Sequence, residues 1–310
     1  VSKPDFNPDL FTGRIMEKDW NNLINDKNKP LVNRFTQGLY PPGSIIKMIT
    51  GAVLMDHQDF DPHMEEVCDG AYQYGDRVFG CWNTQGHGKV DLTSAIAQSC
   101  DIYFYRTIQY YDIDKLAKYF YNFGFGSIAG LDIEGEAKGT IPTKEYMDKR
   151  YCRFGWSTGA LLNFSIGQGE ILVTPIQVLN YTNILATRGN TFKPHLVRSD
   201  VFIENKDSLI PYEDWDRIIF DMGQVVSHQN GTGKNADPLI NGVDVYGKTG
   251  TAENPHGEDH AWFIGWMSFL DNNYSIVVLL ENAGSGGAVA APIAKTVFNN
   301  IISLNNMASK

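Results

Sequence analysis

A serine and a lysine three residues apart are residue types from which an acyl-transfer site can be built. Residues 40–43 end an irregular segment on Pro-Pro-Gly, and residues 45–53 continue with a helical apolar pattern. Ser44 is therefore expected at the first turn of a helix with Lys47 one turn on, so that both side chains share a face. A serine needs a base to become a nucleophile at neutral pH, and a desolvated lysine is such a base. The pair predicts a serine nucleophile activated by Lys47, with the helix N-terminus stabilising an oxyanion.

Two later segments supply the hydroxyl, carboxylate and second amine that such a site also needs. Ser99 and Asp101 follow a predicted helix over residues 92–98, which places a hydroxyl and a carboxylate at a helix end. Residues 248–251 read Lys-Thr-Gly-Thr and follow the alternating run 243–246, which is typical of a strand. The three segments together predict one catalytic cleft.

Length, composition and charge narrow the classes of protein. The 310 residues are 43% hydrophobic and 20% charged, which is enough for one large globular domain with a full core. The net charge of −10 is spread along the chain and gives no indication of nucleic-acid binding. No apolar run reaches membrane-spanning length, and the first residues read like the interior of a longer protein.

Periodicity predicts a helix-rich lobe followed by a smaller antiparallel sheet, an α+β fold. Residues 261–269 and 274–281 alternate like strands around an Asp-Asn-Asn turn, and the strand that bears Lys248 precedes them. Helices are predicted over residues 44–55, 92–98, 102–110, 112–122, 174–189, 212–228 and 287–304. Loops are expected over residues 1–43, 57–90 and 127–160.

The order Ser-x-x-Lys, Ser-x-Asp, Lys-Thr-Gly resembles the motif set of penicillin-binding proteins and serine β-lactamases. Nearly the whole chain resembles the transpeptidase domain of class B penicillin-binding proteins, with most similarity to the members that act in cell elongation. Residues 163–177 and 258–265 resemble further segments of these domains. The resemblance implies the penicillin-binding transpeptidase fold, shared with serine β-lactamases, in which helices flank an antiparallel sheet beside a mainly helical lobe. It also implies that residues 1–310 are one transpeptidase domain without the membrane anchor, the pedestal domain and the first strand.

The resemblance implies a two-step acyl transfer on peptidoglycan stem peptides, with no catalytic cofactor. Ser44 would attack the penultimate D-Ala and release the terminal D-Ala, with Lys47 as its general base. Ser99 would relay a proton to the leaving group. The backbone N–H groups of Ser44 and Thr251 would form the oxyanion hole. An amine of a second stem would then open the acyl-enzyme and form the crosslink.

The lysine motif would bind the donor peptide. Lys248, Thr249 and Thr251 are expected to hold its terminal carboxylate, and Gly250 to let the substrate backbone come close. Asp101 stands where many relatives have asparagine, which leaves the role of this position open. A carboxylate near Lys47 would favour the charged amine and oppose base function, whereas a second lysine nearby would act in the opposite direction.

Three cysteines and a histidine fall in one region of the sequence. Cys68, Cys81, His87 and Cys100 are enough for a closed tetrahedral zinc site, and Cys100 is the middle residue of the Ser99 motif. The resemblance agrees, because some elongation-class relatives carry a structural zinc at this place. A disulfide between Cys68 and Cys81 and simple burial of the thiols are the alternatives.

Other functions share the same motifs. A serine β-lactamase of class A would need a glutamate that activates the deacylating water, and Glu134, Glu136 and Glu170 lie in unrelated contexts. A non-catalytic sensor domain that is only acylated by β-lactams would carry an intact motif set. The resemblance implies three partners, namely peptidoglycan stems, β-lactam antibiotics and a membrane glycosyltransferase of the elongation machinery. It also implies a location on the periplasmic face of the bacterial inner membrane, with an anchor outside this chain.

Overall fold

The order of the elements places short strands and helices first and a longer sheet last. The computed structural model describes residues 1–152, 155–197, 203–205, 210–255 and 257–308. The α-helices of this part of the chain are α1 (Glu17–Asn25), α2 (Lys47–Met55), α3 (Leu92–Ala97), α4 (Asp101–Ile108), α5 (Ile113–Asn122), α6 (Lys144–Arg150), α7 (Gly159–Ser165), α8 (Pro175–Ala186), α9 (Tyr212–Ser227) and α10 (Ala291–Ala308).

The strands pair only in antiparallel fashion within the described residues. They are β1 (Glu66–Cys68), β2 (Ala71–Tyr74), β3 (Arg77–Gly80), β4 (Gly88–Val90), β5 (Asn190–Phe192), β6 (Ile203–Asn205), β7 (Asp244–Ala252), β8 (His260–Phe269) and β9 (Asn272–Leu280). Short strands pair as β1 with β4, β2 with β3 and β5 with β6, and β7, β8 and β9 form one sheet in that order.

The central strand β8 is buried on both faces of its sheet. Its even-numbered side chains Trp262, Ile264 and Trp266 belong to the core cluster of the helical lobe. Its odd-numbered neighbours, among them Phe263 and Met267, pack in the cluster that includes α10. Since successive residues of a strand point to opposite faces, an unbroken apolar run is required here. Helices on both faces therefore cover the sheet and leave the edge of β7 available to the cleft.

A capping box fixes the start of α8. The Thr174 hydroxyl accepts a hydrogen bond from the Gln177 backbone N–H, and the Gln177 side-chain oxygen accepts one from the Thr174 N–H. The amide nitrogen of the buried Gln177 side chain also donates to the Ser127 and Lys138 carbonyls, at 2.6 and 2.8 Å. One side chain thus fastens a helix start to the loop that crosses it.

The predicted α+β fold is confirmed, including the three-strand meander. The predictions of loops over 1–43, 57–90 and 127–160 are wrong in part. Helices α1 and α6 interrupt the first and last of these segments, and residues 57–90 contain β1 to β4. Helix α1 buries no residue, and strands of three or four residues are too short to show alternation.

No helix in the described ranges combines the length and the apolar character that a membrane crossing requires.

Candidate active site

The predicted helix over 44–55 is divided in the structure. Residues Gly43–Ile46 form a 3₁₀ turn, and α2 begins only at Lys47. Gly43 has a φ of +59°, and a Cβ there would lie 2.7 Å from the Thr251 carbonyl oxygen. The Gly43 N–H also donates to the Gly167 carbonyl at 2.9 Å. The turn that carries Ser44 is therefore held against the edge of β7, with Ser44 half-buried.

The Lys47 amine is fully buried and lies against the second motif. It donates to the Asp101 carboxylate and to the Ser99 carbonyl, both at 2.8 Å, and more weakly to the Ser99 hydroxyl at 3.3 Å. It also lies 5.3 Å from the centre of the Phe104 ring. The Ser44 hydroxyl is not among its hydrogen-bond partners in the part of the chain described. The predicted contact between lysine and nucleophile is thus replaced, in this state, by an ion pair with Asp101.

The second lysine, Lys248, is also fully buried, and its amine contacts the Ser99 hydroxyl. Its amine lies 2.9 Å from the Ser99 hydroxyl and 3.0 Å from the Thr249 carbonyl. Burial lowers the pKa of Lys248 well below its usual value, and the neighbouring Lys47 charge lowers it further, whereas Asp101 acts in the opposite direction. Burial and the Lys47 charge therefore disfavour the charged form of the Lys248 amine, whereas the Asp101 carboxylate pairs directly with the Lys47 amine.

Ser99 is held in an uncommon backbone conformation. Its φ of +56° lies in the left-handed region, which is disfavoured for residues other than glycine. The backbone N–H groups on either side of the turn donate to α3, from Ser99 to Ile96 at 3.2 Å and from Cys100 to Ala95 at 2.8 Å. The turn directs the Ser99 hydroxyl between the amines of Lys47 and Lys248.

Strand β7 presents its free edge to the serine turn, because β8 pairs with its other edge. The Thr251 carbonyl accepts a long hydrogen bond from the Gln168 side chain at 3.4 Å and faces this edge. In an antiparallel strand the N–H and C=O of one residue point to the same side, so the Thr251 N–H faces the turn as well. A Cβ at Gly250 would lie 2.8 Å from an Ile45 methyl group. The close approach that Gly250 permits in the structure is therefore that of the serine turn.

Asp101 is held by the segment that carries Cys81. Its second carboxylate oxygen accepts a hydrogen bond from the Trp82 backbone N–H at 3.1 Å. The Asp101 N–H donates to the Cys81 sulfur at 3.5 Å, and the Trp82 indole donates to the Gln98 carbonyl at 3.0 Å. The carboxylate that pairs with Lys47 is thus oriented from the loop between β3 and β4.

The sulfur atoms of three cysteines and a ring nitrogen of one histidine converge beside this loop. One ligand atom each from Cys68, Cys81, His87 and Cys100 lies within 4.8 Å of all the others. All four cysteines of the chain are free thiols, so the Cys68–Cys81 disulfide is absent. Both the Cys68 and Cys81 sulfurs lie 3.5 Å from the Nδ1 atom of His87. Hydrogen bonds from Cys100 and then His87 lower the pKa of the Cys81 thiol, although burial acts to raise it.

The three motifs and the fold identify the family. Residues 1–299 match the family described as the penicillin binding protein transpeptidase domain. The chain belongs to this family. It is 35% identical, over 96% of its length, to a relative named peptidoglycan D,D-transpeptidase MrdA from Haemophilus influenzae. The expected family and its α+β fold are confirmed.

Solved structures of the same family are closely similar. One is the penicillin-binding protein PBP2 of Helicobacter pylori in complex with MreC, with a TM-score of 0.87 and 30% identity over 96% of this chain and 57% of that one. Another is Pseudomonas aeruginosa PBP2 in complex with WCK 5153, with a TM-score of 0.84 and 33% identity over 96% of this chain and 67% of that one. The chain covers 50% of the Haemophilus influenzae relative, so it spans about half the length of that protein.

The structure brings the predicted site residues together. Lys47, Ser99, Asp101 and Lys248 form one hydrogen-bonded group, and the serine turn lies against the edge of β7. Two contributors were missed by sequence reasoning. The Trp82 backbone N–H binds Asp101, and the Thr232 hydroxyl accepts a hydrogen bond from Thr249. A backbone donor has no signature in the sequence, and Thr232 stands between Gly231 and Gly233 in a run that predicts only a turn.

The burial of Lys248 makes stability depend on pH. The pKa of Lys248 is lower in the folded protein than in the unfolded chain. At pH values between these two pKa values the unfolded chain binds more protons, so the free energy of unfolding rises with pH there. We expect the free energy of unfolding to rise more steeply with pH from 7 towards 10 in the wild type than in Lys248→Met, by up to about 1.4 kcal/mol per pH unit. Denaturant unfolding at several pH values measures both slopes.

The control is Lys89→Met, which removes an exposed lysine whose pKa is raised because its amine donates a hydrogen bond to the Glu65 carboxylate. This variant should not lose the steep slope. Identical slopes in the wild type and Lys248→Met would show that Lys248 is protonated in the folded protein.

Proposed function

We propose that this domain is a peptidoglycan D,D-transpeptidase that crosslinks stem peptides through a serine acyl-enzyme during cell elongation. The observation that carries the proposal is the Ser99 hydroxyl, which lies between the Lys47 and Lys248 amines at 3.3 and 2.9 Å beside the turn that bears Ser44. A nucleophile, two amines and a bridging hydroxyl are what acyl transfer with proton relay requires. The relative named peptidoglycan D,D-transpeptidase supports the choice of substrate.

The donor stem would bind along the free edge of β7. Its terminal carboxylate would be held by the Thr249 and Thr251 hydroxyls and by the Lys248 amine, which approaches the Thr249 carbonyl. The scissile carbonyl would then lie beside Ser44, with its oxygen facing the N–H groups of Ser44 and Thr251. The loss of one oxyanion donor typically costs about 3–4 kcal/mol of transition-state stabilisation.

Protons would move between the Lys47 and Lys248 amines through the Ser99 hydroxyl. Lys47 is paired with Asp101 in this state, so it must release a proton before it can accept the one on Ser44. The Ser99 hydroxyl can take this proton from Lys47 and pass its own proton to the neutral Lys248 amine. The donor carboxylate would stabilise the resulting Lys248 ammonium. Lys47 would thus become a base when the donor peptide is bound.

The covalent steps balance on these groups. The Ser44 oxygen forms a bond to the D-Ala carbonyl carbon and gives its proton to Lys47. Collapse of the tetrahedral intermediate breaks the peptide bond, and a proton returns through Ser99 to the departing D-Ala amine. The amine of a second stem then attacks the ester carbon and loses a proton to Lys47. Lys47 returns this proton to the Ser44 oxygen as the ester C–O bond breaks, which frees Ser44 and leaves the new amide crosslink. Each positioned acid or base of this kind contributes typically about 10²–10⁴-fold.

The glutamates considered for a β-lactamase are engaged elsewhere or exposed. The Glu136 carboxylate accepts hydrogen bonds from the Ala129 and Leu131 backbone N–H groups. Glu170 accepts one from the Tyr151 hydroxyl, and Glu134 is exposed. Since none of these three glutamates has a hydrogen bond to Ser44, Lys47, Ser99 or Lys248 in the described part of the chain, a slowly hydrolysed acyl-enzyme is the expected outcome.

Location and partners follow from the longer relatives. We place the domain at the periplasmic face of the bacterial inner membrane, with an anchor in a segment outside this chain. We propose the membrane glycosyltransferase of the elongation machinery as a partner, also through regions outside this chain. A solved relative of 31% identity comes from a peptidoglycan synthase complex described as coordinating polymerization and crosslinking, which supports this choice.

Acylation by a labelled penicillin tests the nucleophile. We expect the purified domain to form a stable 1:1 covalent adduct with fluorescent penicillin, because each chain would be acylated once, on Ser44. The adduct should be absent in Ser44→Ala and retained in Ser303→Ala, which removes an exposed hydroxyl on α10. Gel fluorescence and intact mass measure it.

Rapid loss of the adduct with turnover of penicillin would instead indicate a β-lactamase. A stable adduct without crosslinking activity in the full-length protein would indicate a sensor domain.

We propose that the cluster of Cys68, Cys81, His87 and Cys100 binds a structural zinc ion. Tetrahedral zinc with bonds of about 2.3 Å to sulfur and about 2.0 Å to nitrogen would place these atoms about 3.5 Å apart. The two sulfur–Nδ1 distances of 3.5 Å at His87 agree with this geometry. Four protein ligands would leave no open position, so the zinc would stabilise the loop and take no part in catalysis.

Zinc content tests this site. We expect about one zinc per chain, lost in Cys81→Ser and retained in Cys152→Ser, because Cys152 is exposed and lies outside the cluster. Elemental analysis and thiol reactivity before and after chelation measure it, and chelation should lower the unfolding temperature. A Cys68–Cys81 disulfide in metal-free, fully active protein would overturn the proposal.

A further inference from the structure

The hydroxyl of Thr249 has a partner that the three motifs do not include. Thr249 donates a hydrogen bond to the Thr232 hydroxyl at an oxygen–oxygen distance of 2.6 Å. Thr232 lies in the loop after α9 and is half-buried, whereas Thr249 is almost fully buried. The Thr232 hydroxyl in turn makes a long hydrogen bond of 3.5 Å to the Ala97 carbonyl, at the end of α3.

Two glycines hold Thr232 in this place. A Cβ at Gly231 would lie 2.4 Å from the Val225 carbonyl oxygen, so the loop can fold back against α9 only with glycine there. The Gly233 N–H donates to the same carbonyl at 2.9 Å. The Thr232 N–H donates to Ala97 at 3.2 Å, which joins the loop to the helix before Ser99.

A hydroxyl has one proton to donate. In the structure described here Thr249 gives its proton to Thr232, so that proton is not available to a ligand carboxylate. A carboxylate accepts hydrogen bonds and donates none, and it must therefore draw the Thr249 proton away from Thr232. The Thr249 oxygen then faces the Thr232 oxygen at short distance with no proton between them unless Thr232 supplies one.

The hydrogen-bond chain can reverse at little cost. If the Thr232 hydroxyl turns from Ala97 to Thr249, the Ala97 carbonyl still accepts the Thr232 backbone N–H. No buried acceptor is left without a donor. In the reversed chain Thr232 donates to Thr249 and Thr249 donates to the carboxylate, and such chains strengthen each of their members.

We infer that Thr232 is a positioning residue for the donor carboxylate, which turns its hydroxyl from Ala97 to Thr249 when an anionic ligand occupies the site. The inference rests on the proposed transpeptidase function and extends it to a residue outside the motifs. Thr232 would act through Thr249, so its contribution depends on the Thr249 hydroxyl and on the ligand charge.

Acylation rates of variants test the role. We expect Thr232→Val to lower the second-order rate constant for acylation by benzylpenicillin about three- to tenfold, the effect of one hydrogen bond. Thr232→Ser should restore most of the rate because it keeps the hydroxyl. In a Thr249→Val background, Thr232→Val should have no further effect. Thr296→Val, which removes an exposed hydroxyl on α10, should acylate like the wild type.

The ligand charge separates positioning from general support of the loop. With the methyl ester of benzylpenicillin, which lacks the carboxylate, Thr232→Val and the wild type should acylate at equal rates. An unchanged rate with benzylpenicillin, or an equal loss with acid and ester, would overturn the role of Thr232 while leaving the transpeptidase proposal intact. A wild-type domain that forms no Ser44 adduct would overturn both.

Discussion

The buried ion pair between Lys47 and Asp101 is the interaction on which the arrangement of the site depends. Both groups are almost entirely removed from water, with Lys47 fully buried and Asp101 7% exposed. A buried charge without its partner typically destabilises a protein by about 3–5 kcal/mol, so each residue fixes the place of the other. The pair joins α2, which follows the nucleophile, to α4, which follows the Ser99 turn. Ser99 lies between them, and its strained backbone is held because Lys47 also binds its carbonyl.

The same pair determines the charge of the site. Burial lowers the pKa of the second lysine, Lys248, well below its usual value, the Lys47 charge lowers it further, and Asp101 acts in the opposite direction. The Ser99 hydroxyl lies between the two amines, 3.3 Å from that of Lys47 and 2.9 Å from that of Lys248. The loop between β3 and β4 supports the carboxylate through Trp82 and Cys81, so a metal bound by Cys81 would help to fix the position of Asp101. Burying Lys248 costs stability wherever the unfolded chain binds the proton that the folded chain has lost.

The sequence predicted the contents of the site better than its connections. The spacing of Ser44 and Lys47, the helix end at Ser99 and the strand that bears Lys248 each had a local pattern. The helix end and the strand are found as expected, whereas Ser44 lies in a 3₁₀ turn and the α-helix begins only at Lys47. Spacing alone did not indicate that the Lys47 amine would be occupied by the Ser99 carbonyl and by the Asp101 carboxylate from a distant segment. Contacts between remote segments leave no periodicity, so the bonds from Trp82 to Asp101 and from Thr249 to Thr232 were missed. The strands β1 to β4 were missed for a different reason, since three or four residues cannot display an alternating pattern.

The pKa of Lys248 depends directly on its burial and on the charges of Lys47 and Asp101. NMR titration of the domain with isotope-labelled lysine measures this pKa. The Lys248→Met variant assigns the signal. We expect the Lys248 amine to titrate well below 10.5, and lower still in Asp101→Asn, because that carboxylate stabilises the charged amine. A Lys248 signal that titrates near 10.5 in both proteins would show that neither burial nor the Lys47 charge lowers its pKa. It would contradict the proposed proton transfer from Ser99 to Lys248.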